Sequence, residues 1–247
     1  MKRIYLDTKD CSINDESIHI AGDTCHYLLN VLRMRQGDVF LGFDGMGKEY
    51  EIKVCRCEKK SITGTITSLI QTAKTELSFK MTVFQSIPKG NKMDFIVREI
   101  SQLGVKRIVP VISSRVIGSF SEEKTVYKIE RWEKIAVASS SVAGRVLVTE
   151  IGKPVSFKTA LESPTDISIL FWEGATELLR KVVKKYTCIN FVSVKIFIGA
   201  EGGFSDDEVE MASHYNTAIA SLGNRILKVE TASVIATALT IYELENL

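Results

Sequence analysis

A glycine-rich segment that follows a buried-strand pattern carries the clearest chemical signal in the sequence. The apolar run Val194–Ile198 predicts a strand, and Gly199-Ala200-Glu201-Gly202-Gly203-Phe204 follows it directly. Ser205 and Glu208 then form a capping-box pattern, which predicts a helix N-terminus. A strand, a glycine loop and a helix N-terminus together are the place where open α/β sheets bind ligands. A tight turn that needs glycines is the simpler interpretation of the segment taken alone.

The composition of this loop indicates which ligand it suits. It has neither the G-x-G-x-x-G pattern nor the Lys-Ser/Thr of a P-loop, so it does not match the known phosphate cradles. Glu201 would also repel a phosphate. A cationic ligand fits better, and the sulfonium of S-adenosylmethionine is one. A second glycine-containing segment, 222–232, follows the next strand pattern, so two neighbouring strand ends predict a concave site.

The elements that must position these loops are alternating strands and helices. The strand patterns are nearly all apolar and the helical patterns are amphipathic, which favours a parallel sheet covered on both faces. The predicted strands are Phe79–Gln85, Ile108–Ile112, Ile167–Trp172, Val194–Ile198 and Thr217–Leu222. The predicted helices are Lys92–Leu103, Ile129–Ala143, Thr176–Tyr186, Asp206–His214 and Ala232–Leu244. The fold class of this part is therefore α/β.

The first part of the chain has a different pattern. Short β-rich stretches broken by Gly and Asp lie between residues 1 and about 70, which is typical of a small β-barrel. One helical stretch, His26–Met34, interrupts them. Gln71–Ser78 is polar and marks the boundary, so the predicted domains are residues 1–72 and 73–247.

Composition narrows the class of protein. The chain has 247 residues, 45% of them hydrophobic, and a net charge of +2, so nucleic-acid affinity would need a local basic patch. It lacks an apolar run of about 18 residues, so we expect no membrane helix. Five cysteines without framework spacing predict free thiols in a reducing cytoplasm, with no disulfide and no metal site.

The two glycine-containing segments resemble the paired signature of the ribosomal RNA small subunit methyltransferase E family, in the SPOUT superfamily. The motifs are Ile198-Gly199-Ala200-Glu201-Gly202-Gly203-Phe204-Ser205 and Leu222-Gly223-Asn224-Arg225-Ile226-Leu227-Lys228-Val229-Glu230-Thr231-Ala232. The similarity extends to His26–Arg33, Lys89–Asp94 and Gln102–Val105. Three departures stand out: Ala200 replaces a proline, Lys228 replaces an arginine, and 139–144 replaces a Glu-Gln-containing helix end. Lys228 keeps the charge but loses the planar fork of arginine.

The resemblance implies a fold and an activity. It implies an N-terminal PUA-like β-barrel for RNA binding and a C-terminal SPOUT domain with a trefoil knot, working as a homodimer. The implied reaction is S-adenosylmethionine-dependent methylation of N3 of a uridine in the decoding region of 16S ribosomal RNA, within the small ribosomal subunit. The implied location is the cytoplasm.

The resemblance and the chemistry together assign residues to roles. We expect Arg225 to stabilise negative charge on the uracil with Lys228 beside it, and Glu201 to accept the proton or to orient these cations. Glu230 has the same two possible roles, or it stabilises the N-terminus of a helix. The expected cofactor contacts are Gly199, Glu201, Gly202, Gly203, Leu222, Gly223, Ile226, Leu227, Thr231 and Ala232.

A basic stretch provides candidate RNA contacts. Between Lys80 and Arg115 the chain holds seven basic residues against Asp94 and Glu99. Phosphate contact and a solvated basic loop are equally good interpretations of this stretch by itself. The predicted RNA-binding residues are His26, Arg33, Lys89, Lys92, Arg115 and Arg145.

Two other functions fit the same motifs. One is a SPOUT methyltransferase that acts on the ribose 2′-O of an RNA. The other is a non-catalytic RNA-binding factor in ribosome assembly, which the changed 139–144 stretch and Lys228 would suit.

Overall fold

The chain forms two compact units. A computed structural model describes residues 1–70, 75–115, 122–187 and 189–246. Residues Met1–Glu76 and Ser140–Val148 form the first unit, and Leu77–Ser139 and Thr149–Leu247 form the second. The boundary predicted between residues 72 and 73 falls on 71–74, outside the described residues. Within the described ranges, no helix is long and apolar enough to cross a membrane.

The first unit is a six-stranded sheet with one helical segment packed on it. The order is β1-β4-β5-β6-β3-β2, with β1 and β4 parallel and the other pairs antiparallel. Helix α1 (Gly22–His26) continues as a π-helical turn at Tyr27–Val31, and Cys25 and Leu28 enter the core of the unit. The predicted helical stretch therefore exists but begins four residues earlier. The strands are β1 (Arg3–Tyr5), β2 (Cys11–Ile13), β3 (Ser17–Ile20), β4 (Val39–Phe43), β5 (Glu49–Cys57) and β6 (Ile62–Ile70).

The second unit contains the predicted parallel sheet. Its order is β10-β8-β7-β12-β11-β13, with β9 beside β8, and each of these pairs is parallel. Helices cover the sheet and its central strands are buried, which is why the sequences of these strands are nearly all apolar. The strands are β7 (Lys80–Ser86), β8 (Arg107–Ile112), β9 (Glu150–Ile151), β10 (Val155–Ser156), β11 (Ile167–Phe171), β12 (Ser193–Ile198) and β13 (Ala218–Ala220).

The helices of this unit follow the predicted order with some differences in length. They are α2 (Lys92–Gln102), α3 (Glu122–Val142), α4 (Phe157–Glu162), α5 (Leu179–Lys184), α6 (Asp206–His214) and α7 (Val229–Glu245). The predicted face of α2 is buried. Helix α4 was missed because its six residues are too few to show a helical period. Helix α7 begins three residues before the predicted start, because Lys228 already takes the extended conformation of an N-cap.

A buried ion pair explains why 140–148 packs with the first unit rather than with the second predicted domain. Arg145 is 1% exposed, and its Nη2 lies 2.8 Å from Oε2 of Glu76. The backbone N–H groups of Val146 and Leu147 each donate to Oε1 of Glu76 at 3.1 Å. The backbone oxygen of Arg145 also accepts from Nη2 of Arg3 at 2.6 Å.

Removing one partner of this pair tests its contribution to stability. We expect Arg145→Met to lower the free energy of unfolding by about 3–5 kcal/mol, because it leaves the Glu76 carboxylate partly buried without its cation. Denaturant unfolding measures the change. Arg56→Met is the control, because Arg56 forms an exposed pair with Glu58 in the same unit, and we expect a change within about 0.5 kcal/mol. Equal small changes in both variants would contradict this role of Arg145.

Candidate active site

A cavity of about 280 Å³ opens where the carboxyl ends of β11, β12 and β13 meet. Three segments line it: residues 171–173 at the end of β11, residues 198–203 at the end of β12, and residues 221–232 between β13 and the first turn of α7. Parallel strands place their following loops at one edge of the sheet, so segments far apart in sequence become neighbours. The predicted concave site is therefore present.

The glycine loop turns back sharply at the end of β12. The N–H of Gly203 donates to the oxygen of Ala200 at 2.9 Å, and Gly203 has a φ of +65°. A Cβ on Gly199 would lie 2.9 Å from the Cα of Gly203, so only glycine fits there without moving backbone. Phe204 is buried and packs on Phe157, which anchors the far end of the loop.

The loop ends at a well-formed helix start. Ser205 is the N-cap of α6, its Oγ accepts from the N–H of Glu208, and the Glu208 side chain accepts from the N–H of Ser205. The predicted capping box is confirmed. The buried Glu208 carboxylate also accepts from the N–H of Ser114 at 2.8 Å and from its hydroxyl at 2.9 Å. This contact fixes residue 114 against the helix that follows the glycine loop.

The second loop supplies the opposite wall of the cavity. Gly223 has a φ of +107°, and its N–H donates to Oγ of Ser221 at 3.1 Å. Arg225 is exposed and lines the cavity. Lys228 is exposed at the N-cap of α7 and does not belong to the lining.

Most of the residues predicted to contact a cofactor lie together on the cavity wall. The exception is Thr231, which is exposed and outside the lining. Because α7 begins at Val229, its first turn directs Val229 and Ala232 to the cavity instead. The lining residues that were predicted are Gly199, Glu201, Gly202, Gly203, Leu222, Gly223, Ile226, Leu227 and Ala232.

Glu201 is engaged by nearby donors. Its Oε1 accepts from Nζ of Lys92 at 2.7 Å and from the backbone N–H of Lys89 at 3.1 Å. Burial by itself would raise the pKa of Glu201, but these hydrogen bonds and the Lys92 charge lower it below its ordinary value. The hydrogen bond to Glu201 in turn raises the pKa of Lys92. Glu201 is therefore a stable anion that holds Lys92, which is a poor arrangement for a base.

The third wall of the cavity contains no glycine and was not predicted from the sequence. Phe171, Trp172 and Glu173 line it, and a Cβ on Gly203 would lie 2.6 Å from Oε1 of Glu173. The carboxylate of Glu173 thus rests against the glycine loop. The sequence signal for Glu173 is its position shortly after a buried strand of the same sheet.

A second cavity of about 490 Å³ shares the Ala200–Gly202 wall with the first. Ile87, Lys89, Ser114 and Arg115 complete its lining. Nη1 of Arg115 donates to the oxygen of Gly202 at 2.5 Å, so the guanidinium is held against the glycine loop. Of the predicted RNA-binding residues, Lys89 and Arg115 meet here, and Lys92 reaches the same wall through Glu201.

The other predicted RNA-binding residues lie in the first unit. His26 is exposed, with Nδ1 3.0 Å from Nδ2 of Asn30. Arg33 is also exposed and has a φ of +54°, which is uncommon for a residue with a side chain. Arg145 offers no surface to RNA, because its side chain is buried against Glu76.

Two further observations concern Glu230 and metal binding. Glu230 makes no side-chain capping bond, and its Oε2 is buried without a hydrogen-bond partner among the described residues. Glu230 nevertheless lies in the first turn of α7, where a negative charge stabilises a helix N-terminus, as one of its predicted roles requires. Across the described ranges, His, Cys, Asp and Glu form no group that could hold a metal ion.

Comparisons with known proteins find similarity along both parts of the chain. Residues 75–241 match the family model described as RNA methyltransferase domain, and residues 20–67 match the RNA methyltransferase PUA domain. Ribosomal RNA small subunit methyltransferase E of Buchnera aphidicola subsp. Acyrthosiphon pisum is 30% identical over 95% of this chain and 90% of that protein. The Bacillus subtilis protein of that name is 26% identical over 100% of this chain and 98% of its own length.

A solved structure is similar over the same extent. It is the ribosomal RNA small subunit methyltransferase E of Neisseria gonorrhoeae bound to S-adenosyl methionine. Its TM-score to this chain is 0.84 at 26% identity, with 97% of this chain and 96% of that chain covered.

The close approach inside the glycine loop can be tested without a ligand. We expect Gly199→Ala to lower the free energy of unfolding by about 1–3 kcal/mol, because the new Cβ would press on backbone atoms that cannot move separately. The control is Gly202→Ala, whose Cβ would lie 3.3 Å from the flexible side chain of Arg115. Denaturant unfolding of both variants is the measurement. A loss in Gly199→Ala no larger than that in the control would contradict the geometry of the loop.

Proposed function

Because the chain belongs to the ribosomal RNA small subunit methyltransferase E family, we propose that it methylates N3 of a uridine in the decoding region of 16S ribosomal RNA. S-adenosylmethionine is the methyl donor. The observation that carries the proposal is the cavity at the sheet edge, whose walls are the two loops that match both family motifs. The matched relatives span nearly the whole chain, so both units enter the proposal.

The chain's own residues fit this cofactor. The cavity is close to the lower end of the range of small-molecule sites, roughly 300–1,000 Å³. The glycines at 199 and 203 put backbone rather than side chains on the cavity wall, and Glu173 lines the cavity from the side of β11. The donor, when bound, supplies a methyl group on a positively charged sulfur. Carboxylates on the wall favour that charge, whereas Arg225 suits an anionic acceptor.

The acceptor chemistry requires a flipped base and a place for negative charge. N3 of uracil is an imide N–H on the Watson–Crick edge, so the base must leave any pairing before it reacts. The residues then have to hold donor and acceptor in line for attack. N3 gives up its proton to solvent and takes the methyl group as the carbon–sulfur bond breaks, which leaves S-adenosylhomocysteine. Arg225 stabilises charge on the uracil, with Lys228 beside it in sequence. Glu201 positions Lys92 at the shared wall, because its lowered pKa keeps it ionised.

We place the RNA strand next to the target base at the second cavity. Lys89 and Arg115 line it, Ser114 adds a hydroxyl, and the Glu201 charge in its wall is paired with Lys92, so the surface suits a phosphodiester. The shared wall of Ala200–Gly202 brings this surface next to the cofactor cavity. The PUA domain match and the exposed His26 and Arg33 support additional RNA contact by the first unit.

The family's trefoil knot, homodimer and cytoplasmic location belong to the same proposal. Support for the knot and the location is the family match itself. Support for the dimer is that α7 is apolar beyond its buried face, since Leu239 is 42% and Tyr242 64% exposed. Phe95 on the adjacent α2 is also exposed.

Sedimentation of Tyr242→Glu beside the wild-type protein tests this dimer interface. We expect the molar mass in solution to fall from that of a dimer to that of a monomer, and an unchanged mass would contradict the interface.

Nucleoside analysis tests the reaction itself. Unmodified small ribosomal subunits are incubated with the protein and S-adenosylmethionine, and the digested RNA is examined by mass spectrometry. We expect N3-methyluridine at one decoding-region site. Ribose 2′-O-methylation without N3-methyluridine would replace the proposal with the ribose methyltransferase. A lack of any methylation, together with a lack of cofactor binding, would favour an assembly factor.

Arg225 provides the test of the mechanism. We expect Arg225→Ala to leave S-adenosylmethionine affinity nearly unchanged but to lower turnover at least about tenfold, because a charge-stabilising group acts mainly in the transition state. Arg115→Ala is the comparison, and it should raise the KM for RNA more than it lowers turnover. Wild-type turnover in Arg225→Ala would remove Arg225 from the chemistry.

A further inference from the structure

We propose that Gln85 is a positioning residue that holds the two cofactor loops together from beneath. The inference rests on the proposed function, because it concerns the S-adenosylmethionine site. Gln85 lies near the carboxyl end of β7 and is 0% exposed. It does not belong to the cavity lining. Any effect on the cofactor must therefore pass through the loops that it touches.

The amide nitrogen of Gln85 holds the start of the glycine loop. Nε2 donates to the backbone oxygen of Gly199 at 3.2 Å and lies 3.4 Å from that of Ile198. It also donates to the oxygen of Ser86 at 2.9 Å. Gln85 and Ile198 are register partners in the parallel β7–β12 pair, so the side chain extends from the strand to the point where the loop leaves the sheet.

The amide oxygen of Gln85 holds the start of α7. It accepts from Oγ of Ser233 at 2.6 Å, a contact between residues 148 positions apart. Ser233 is fully buried, and its Oγ also lies 2.7 Å from the backbone oxygen of Val229, which lines the cavity. One carboxamide therefore connects the loop after β12 with the helix start that follows the second loop.

The chemistry of the contact requires a carboxamide. Three carbonyl oxygens surround one end and a hydroxyl donor meets the other, so the side chain must donate and accept at once. Glutamate has the same shape, but its ionised form would direct an acceptor at the carbonyl oxygens. Methionine has similar length and offers neither function. A satisfied buried network of this kind makes its surroundings rigid, and rigid loops bind without first being ordered.

The test compares binding of S-adenosylmethionine and of S-adenosylhomocysteine by calorimetry in the full chain. We expect Gln85→Met to weaken both ligands about tenfold or more, and Ser233→Ala to weaken both about fivefold. The KM for RNA should stay at the wild-type value. Thr240→Val is the control, because Thr240 is equally buried on α7 and bonds only to Ala236 in the described structure. Its affinities should stay within about twofold of wild type.

The outcomes separate this proposal from the proposed function. Failure of the wild-type protein to bind either ligand would remove the proposed function. Wild-type binding together with wild-type affinity in a folded Gln85→Met would overturn the positioning role. If Gln85→Met does not fold, Ser233→Ala against Thr240→Val decides, and equal affinities in these two would overturn the role as well.

Discussion

The hydrogen bonds of β12 to β7 on one side and β11 on the other fix where the glycine loop begins. Ile198 pairs with Gln85 in β7 and with Phe171 in β11, so three chain segments end at one level of the sheet. The loops that follow these strands therefore all leave the sheet at the same edge. The cofactor cavity, the buried Gln85 contact and the wall formed by Glu173 all depend on this level.

Some of the charged side chains at this edge of the sheet hold the loops in place, and others face the two cavities. Lys92 holds Glu201 and keeps it ionised, which leaves Glu173 and Arg225 as charged groups that face the cavity. Arg115 is held against Gly202 and faces the neighbouring cavity. A single glycine loop therefore separates a surface suited to a cationic donor from one suited to an RNA backbone. Methyl transfer to RNA needs both surfaces close together.

The parts that the sequence predicts well have strong local signals. Long apolar strands such as β7 and β12 and the Ser205–Glu208 capping box are encoded by neighbouring residues. Strands β9 and β10 have two residues each, so no alternation could indicate them. The burial of Arg145 depends on Glu76, 69 positions away, and no local pattern reveals such a partner.

The site was predictable to the extent that glycines mark it. Both loops were found, but a helix start three residues earlier moved Thr231 out of the lining. Glu173 lacks a glycine signal, and Gln85 resembles any polar residue at a strand end until the register with Ile198 is known. Predicting which side chains act across the sheet requires the strand order, and the sequence pattern alone does not provide that order.

Hydrogen exchange with and without S-adenosylmethionine measures the central claim most directly, because it locates the ligand on the chain. Protection should appear in two segments, 198–204 and 221–232, with a smaller effect at 171–174. The backbone around 127–132, which borders a separate cavity, should exchange at unchanged rates. Protection confined to that second region, with none in the two glycine loops, would contradict the assignment of the cofactor site.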